Sequence, residues 1–353
     1  MAFVNALRIF FVEWIWKIFC VEWVWKTFCV KWIAKGFFVN LVYRKFDKWK
    51  GWLYLLPALI LLAVFTVWPI INTVRIAFLE GYNALEALYG IQFNVGIGNF
   101  VKVLQYSDFM TCLKNTMLLT VLTVPISTIL ALLIAVALNS IKPLQKFLQT
   151  IFFLPYVTNS IAIGMVFAAM FNIIGLNPNG TEAESWGIIN NVLMFFGAKP
   201  INWINAQSSY AANIAVMTIY IVWNALPFKI LILLGGLQSI NKQYYDAARV
   251  DGTPRWRVLT RITVPLLSPM LAYVIITSFI GGFKEYSSIV GIFGEKMGPV
   301  GADLKLNTMV GYIYEALPEM NYGIASAAAL ILFGIILVVT MINLQVSKKR
   351  VHF

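Results

Sequence analysis

The sequence predicts an all-α, polytopic membrane protein, and three observations carry that reading. Of 353 residues, 60% are hydrophobic and 12% are charged, with a mean hydropathy of +0.78. Soluble domains carry about 25% charged residues, so half that share is too little to cover a water-facing surface of this size. Six stretches are long enough to cross a bilayer, and most Lys and Arg fall in the short segments beside them.

The first 51 residues form an extension of their own. A nine-residue unit recurs as Val12–Cys20, Val21–Cys29 and, decayed, Val30–Phe38. Nine residues at 100° each turn a helix by half a revolution, so Glu13/Lys17 and Glu22/Lys26 point to opposite faces while each pair bridges locally. Burying those charges as a further span would cost about 2.5–3.5 kcal/mol each. Seven of the chain's 12 Trp lie within residues 1–52, and Trp favours the membrane interface. Residues 1–51 are therefore expected as a helical extension lying at the cytoplasmic interface.

A spanning helix needs about 20 mostly apolar residues. Stretches 52–76, 115–139, 148–172, 210–234, 269–293 and 324–346 qualify, and together they make a transmembrane domain over 52–346 followed by a tail, 347–353. Pro57, Pro69, Pro125, Pro155 and Pro227 lie inside these stretches. Neighbouring helices and Ser/Thr hydroxyls can satisfy the backbone groups a proline frees, so kinks are expected there.

Six spans put both ends on one side. The segments sharing a side with the termini hold 19 Lys and Arg, against 5 on the other side, which places both termini in the cytoplasm. The same distribution explains the +12 net charge without nucleic acid as a partner. Cys20, Cys29 and Cys112 have no metal-ligand spacing, and a single His, His352, leaves little for a zinc site. The outward segments are too short for a folded domain, so a solute-capturing domain must be another protein.

The longest cytoplasmic segment between spans, 239–268, carries the most information. Asn241 can cap a helix running to Val250, and Gly252 can end it in a left-handed turn. Thr253 is expected to cap a second helix with Pro254 at its first position, where a missing N–H costs nothing. Ala247 and Ala248 would leave a smooth notch beside Asp246, Arg249 and Asp251, suited to insertion into a cleft of another protein.

This stretch resembles the EAA signature of permeases in binding-protein-dependent ABC importers. Asp246-Ala247-Ala248 precedes Gly252 at the family's spacing, and Ile262-Thr263-Val264-Pro265 supplies the ending. Tyr54–Ala58, Trp68-Pro69, Phe153-Leu154-Pro155, Asn307-Thr308 and Tyr322–Ala327 are similar to the maltose-type, carbohydrate-importing class. Asp246 stands where the family usually has Glu, which keeps the charge and shortens its reach. The resemblance covers residue 50 to the end and implies a six-span type I importer permease fold in a bacterial cytoplasmic membrane. It also implies coupling to an ATPase through Tyr245, Asp246, Ala247, Ala248, Asp251 and Gly252. The chain lacks G-x-x-x-x-G-K-[ST] and so has no phosphate cradle of its own; ATP and Mg are expected on a partner ATPase dimer. The other partners implied are a second, related permease and an external solute-binding protein. The chain itself is then a transporter subunit, not an enzyme, and binds no cofactor.

Polar residues inside spans suggest where the solute passes. Trp223, Asn224 and Phe228 surround Pro227 in the fourth span, and Lys284, Glu285 and Tyr286 follow Gly281-Gly282 in the fifth. The plainer readings are that Lys229 snorkels to the cytoplasmic interface and that Lys284 and Glu285 sit at the outer mouth. A phosphorylated polyol or another small polar solute is the alternative to a sugar. An ion-coupled secondary transporter would show helix repeats and buried ionisable residues, and a membrane enzyme would show a catalytic constellation; neither pattern stands out.

Overall fold

The computed structural model describes residues 51–350 apart from 53, 142–144, 176 and 178–181. The nonapeptide repeats, expected as an interfacial extension, lie outside the described residues. The chain divides into two compact units, residues 1–72 and 73–353. Among the described residues there is no strand, only two isolated bridges, Leu79 with Val95 and Ile174 with Ser185. Helix is the expected outcome in hydrocarbon, where backbone groups must pair within their own segment.

In chain order the helices are α1 (Tyr54–Ala77), α2 (Ala84–Leu88), α3 (Gly98–Gln105), α4 (Ser107–Ser140), α5 (Gln145–Val157) and α6 (Ser160–Phe171). They continue as α7 (Gly187–Phe195), α8 (Tyr210–Ser239), α9 (Lys242–Val250), α10 (Arg255–Leu266), α11 (Ser268–Phe283), α12 (Ser287–Phe293), α13 (Met309–Glu315) and α14 (Tyr322–Arg350). Among the described residues four helices are long and apolar enough to cross a membrane: α1, α4, α8 and α14. Two bent pairs bring the number to six if each pair is one span.

Both bends have local causes. The stretch 148–172 reads as one helix in sequence, but α5 and α6 meet at 103°. Pro155 removes an N–H from the last turn of α5, and Asn159 starts a new helix by accepting from the Ile161 N–H at 2.8 Å. Helices α10 and α11 meet at 72° around Leu267, between Pro265 and Pro269. The 269–293 stretch is likewise interrupted. Helix α11 stops at Phe283, just after Gly281-Gly282, and α12 begins at Ser287.

The second unit is organised around the pairing of α4 with α8. At one end of this pair, Leu119 joins Val216, Met217 and Tyr220 with Phe171, Ile289 and Ile292. At the other, Ala131, Ala135 and Leu138 pack on Ile230, Leu233, Leu234 and Leu237, with Leu267 and Val274 of the α10–α11 segment. A third cluster joins Val103, Phe109 and Cys112 to Phe283, Met309 and Ala327. Between the two α4–α8 clusters lies a polar stretch.

Helices α6 and α12 approach with no side chain between them. A Cβ on Gly164 would stand 2.7 Å from the Gly291 Cα, and one on Gly291 would stand 3.0 Å from the Gly164 Cα. Backbone cannot step aside as a side chain can, so Gly291→Val should lower stability by about 1–3 kcal/mol through overpacking. Gly235→Ala in α8 meets nothing within 4 Å and should be neutral or slightly stabilising. Thermal unfolding of the two variants in detergent separates them; equal melting temperatures would refute the contact.

Candidate functional site

Helices α9 and α10 form an elbow. The Asn241 side chain accepts from the Gln243 N–H at 3.0 Å and opens α9. At the other end the Thr253 N–H donates to the Ala248 carbonyl at 2.9 Å and the Gly252 N–H to the Arg249 carbonyl at 3.2 Å. Gly252 has φ +66°, the left-handed conformation such a stop needs. The second helix starts differently from the sequence expectation. Pro254 is itself the N-cap, with extended backbone, and no side chain caps Arg255; Thr253 instead serves the end of α9 through its N–H.

The two alanines do not form one notch. Successive helical residues point about 100° apart, so Ala248 turns inward and is buried while Ala247 is exposed. Tyr244, Ala247 and Val250 share the outer face at i, i+3 spacing, with Asp251 beyond them. Asp246 is exposed and lies 3.6 Å from Arg249, a surface pair that holds it weakly. The Tyr245 hydroxyl reaches the buried Thr263 hydroxyl at 3.3 Å and braces α9 against α10. Tyr245 and Ala248 are therefore internal supports, whereas Asp246, Ala247, Asp251 and Gly252 of the expected coupling residues are exposed to a partner.

The polar stretch between α4 and α8 opens on a cavity of about 280 Å³ walled by α4, α5, α8, α11 and Glu285. Thr123 and Ser127 of α4 and Thr277 and Ser278 of α11 contribute hydroxyls. Each of these donates its proton to a carbonyl one turn back: Thr123 to Leu119 at 2.7 Å, Ser127 to Thr123, Thr277 to Tyr273 at 2.8 Å and Ser278 to Val274 at 2.5 Å. A hydroxyl has one donor and two acceptor sites, so the lining is left with lone pairs. Glu285, which takes the Ser288 N–H at 3.2 Å, adds carboxyl oxygens. Tyr156 and Phe228, stacked at 5.7 Å, make an apolar wall.

Lys229 is 4% exposed, so it does not snorkel. Its ammonium donates to Ser127 Oγ at 2.6 Å and Thr128 Oγ1 at 3.3 Å, tying α8 to α4 two residues beyond a proline in each helix.

Of the six residues expected on the solute pathway, Asn224, Phe228 and Glu285 line this cavity. Trp223 packs instead against Phe167 in the apolar cluster, Lys284 is exposed, and Tyr286 stacks on Tyr314 at 4.6 Å. The α4 hydroxyls escaped the sequence reading, although their signal was present: Thr116, Thr120, Thr123 and Ser127 recur at three- and four-residue spacing, one face of a helix.

A family of proteins described as "binding-protein-dependent transport system inner membrane component" matches residues 117–352. The chain is 28% identical over 304 residues to the lactose transport system permease protein LacF of Rhizobium radiobacter, covering 85% of this chain and 94% of LacF. It is 30% identical over 313 residues to the arabinooligosaccharides transport system permease protein AraP of Bacillus subtilis, covering 87% and 91%. A chain of the crystal structure of a bacterial alginate ABC transporter in complex with its alginate pentasaccharide-bound periplasmic protein shares the fold. The TM-score is 0.68 at 24% identity, covering 87% of this chain and 97% of that one.

Proposed function

Because the chain belongs to the family of binding-protein-dependent transport system inner membrane components, we propose that it forms half of the pathway of an ATP-driven importer for a carbohydrate, most naturally an oligosaccharide. The reading assigns the other half to a second, related permease, delivery to an external solute-binding protein, and ATP with Mg to a separate ATPase dimer. The bias of Lys and Arg supports placing both termini and the α9–α10 elbow on the cytoplasmic side. Asp246, Ala247, Asp251 and the turn at Gly252 would then dock on the ATPase, while Tyr245 and Ala248 keep the elbow rigid enough to move as one piece.

The cavity's hydrogen-bond polarity carries the choice of solute. Apart from Lys229 and Asn224, the polar lining of spent hydroxyls and a carboxyl offers acceptors and asks for donors, and a polyhydroxylated solute is a dense array of O–H donors. Lactose and arabinooligosaccharides, the solutes for which two relatives are named, have that chemistry. Asn224, Phe228 and Glu285 would contact the sugar as it passes.

The test is ATP-driven uptake by the assembled importer in vesicles. Asn224→Ala and Phe228→Ala should each cut saccharide uptake at least tenfold, about 1.4 kcal/mol of lost solute contact. Uptake that persists without ATP and without the ATPase would overturn the reading in favour of ion-coupled transport.

A further inference from the structure

Two ionisable side chains line the cavity and do not neutralise each other. Among the described residues the ion pairs are Asp246 with Arg249 and Lys296 with Asp303, and neither contains Lys229 or Glu285. Their levels follow from the packing on α4. The Lys229 ammonium sits at Ser127 and Thr128, whereas Gly282 abuts the side chain of Thr120. Those levels are seven residues apart, roughly 10 Å along a helix, and Glu285 lies three residues beyond Gly282. The cation therefore marks the end of the cavity nearer α9, and the carboxyl marks the opposite end.

A buried ammonium held only by neutral hydroxyls is an incompletely compensated charge. Its two partners, Ser127 and Thr128, have given their protons to backbone carbonyls and supply lone pairs alone. Two of its three N–H groups are used, which leaves one donor. Placing a cation this way is costly unless an anion arrives to pair with it, and an ionisable group inside a span is by default a site for such a partner.

Resting on the reading of this cavity as the solute site, we infer that Lys229 is a specificity-determining residue for a saccharide with one anionic group at one end, a carboxylate or a phosphate. The anionic end lies toward α9 against Lys229, the sugar hydroxyls donate to Thr123, Thr277 and Ser278, and the uncharged end faces Glu285. Glu285 makes the selection directional: its carboxyl offers oxygens to the hydroxyls of the uncharged end.

Equilibrium binding of labelled solutes to the assembled importer in nanodiscs, without the binding protein, tests this free of that partner's selectivity. The probes are maltotrionate, which carries a single carboxylate at its oxidised end, maltotriose, and glycerol 1-phosphate. The expected result is at least tenfold tighter binding of the monocarboxylate than of maltotriose. Lys229→Met should erase that difference and Lys229→Arg should keep it, with both variants eluting as intact complexes. Tighter binding of glycerol 1-phosphate than of the carboxylate overturns the saccharide in favour of a phosphorylated polyol. Equal binding of maltotriose and the monocarboxylate, or a preference that survives Lys229→Met, overturns it. If maltotriose binding then still falls with Asn224→Ala, the cavity stands as a neutral-sugar site. If none of the probes binds, the reading of the cavity falls together with the role of Lys229.

Discussion

Ala247→Trp should abolish most transport while leaving the chain folded: uptake by the assembled importer drops ten- to a hundredfold and co-purification with the ATPase weakens. Ala247 stands exposed on the outer face of α9 between Tyr244 and Val250, so an indole there meets solvent in the isolated chain and collides only with a docked partner. Truncating or overfilling the centre of a protein interface commonly costs 2 kcal/mol or more, which is about thirtyfold in affinity. Ala248→Trp is the contrast. Ala248 is buried against the elbow, so its enlargement should lower the chain's own melting temperature. Unchanged uptake with Ala247→Trp would show that this face does not carry the coupling.

The largest expected loss of stability comes from Asn115→Leu, by about 3 kcal/mol or more. Asn115 is buried in α4, and its amide donates to the carbonyls of Asn307 at 2.9 Å and Lys305 at 3.1 Å. Its oxygen accepts from the Tyr210 hydroxyl at 2.6 Å. One side chain thus fastens α4 to the start of α8 and to the loop before α13. Leucine keeps the volume and strands three polar partners, at about 1–3 kcal/mol for each one buried. Tyr210→Phe removes a single bond and should cost about 1 kcal/mol. Thermal unfolding in detergent ranks the two variants; similar melting temperatures would mean that Asn115 is no clamp.

Other parts of the molecule differ in how readable they are. The elbow's Asn241 cap and left-handed Gly252 turn are legible because each depends on residues within a few positions of one another. The breaks at 158–159 and 284–286 are less legible, since an apolar stretch that crosses straight and one that bends have the same composition. Pro155 with Asn159 and the Gly281-Gly282 pair carry the local signal for the two breaks. The place of Lys229 is not legible locally, because a lysine near a span end can extend to the interface by its own length. Its actual partners are more than a hundred residues away in sequence.

By itself the sequence determined that this is a helical membrane protein of the importer family, and where its elbow turns. Composition, span length and turn residues are properties of short segments, and lipid imposes them directly. Only the tertiary structure decided that Ser127 meets Lys229, that Glu285 shares their cavity while Trp223 does not, and that Ala247 faces out while Ala248 faces in. The reason is physical. In water the apolar stripe of a helix marks its inner face, but in a bilayer both faces are apolar. The choice of neighbours is then left to small residues, buried amides and hydroxyls whose partners no local pattern reveals.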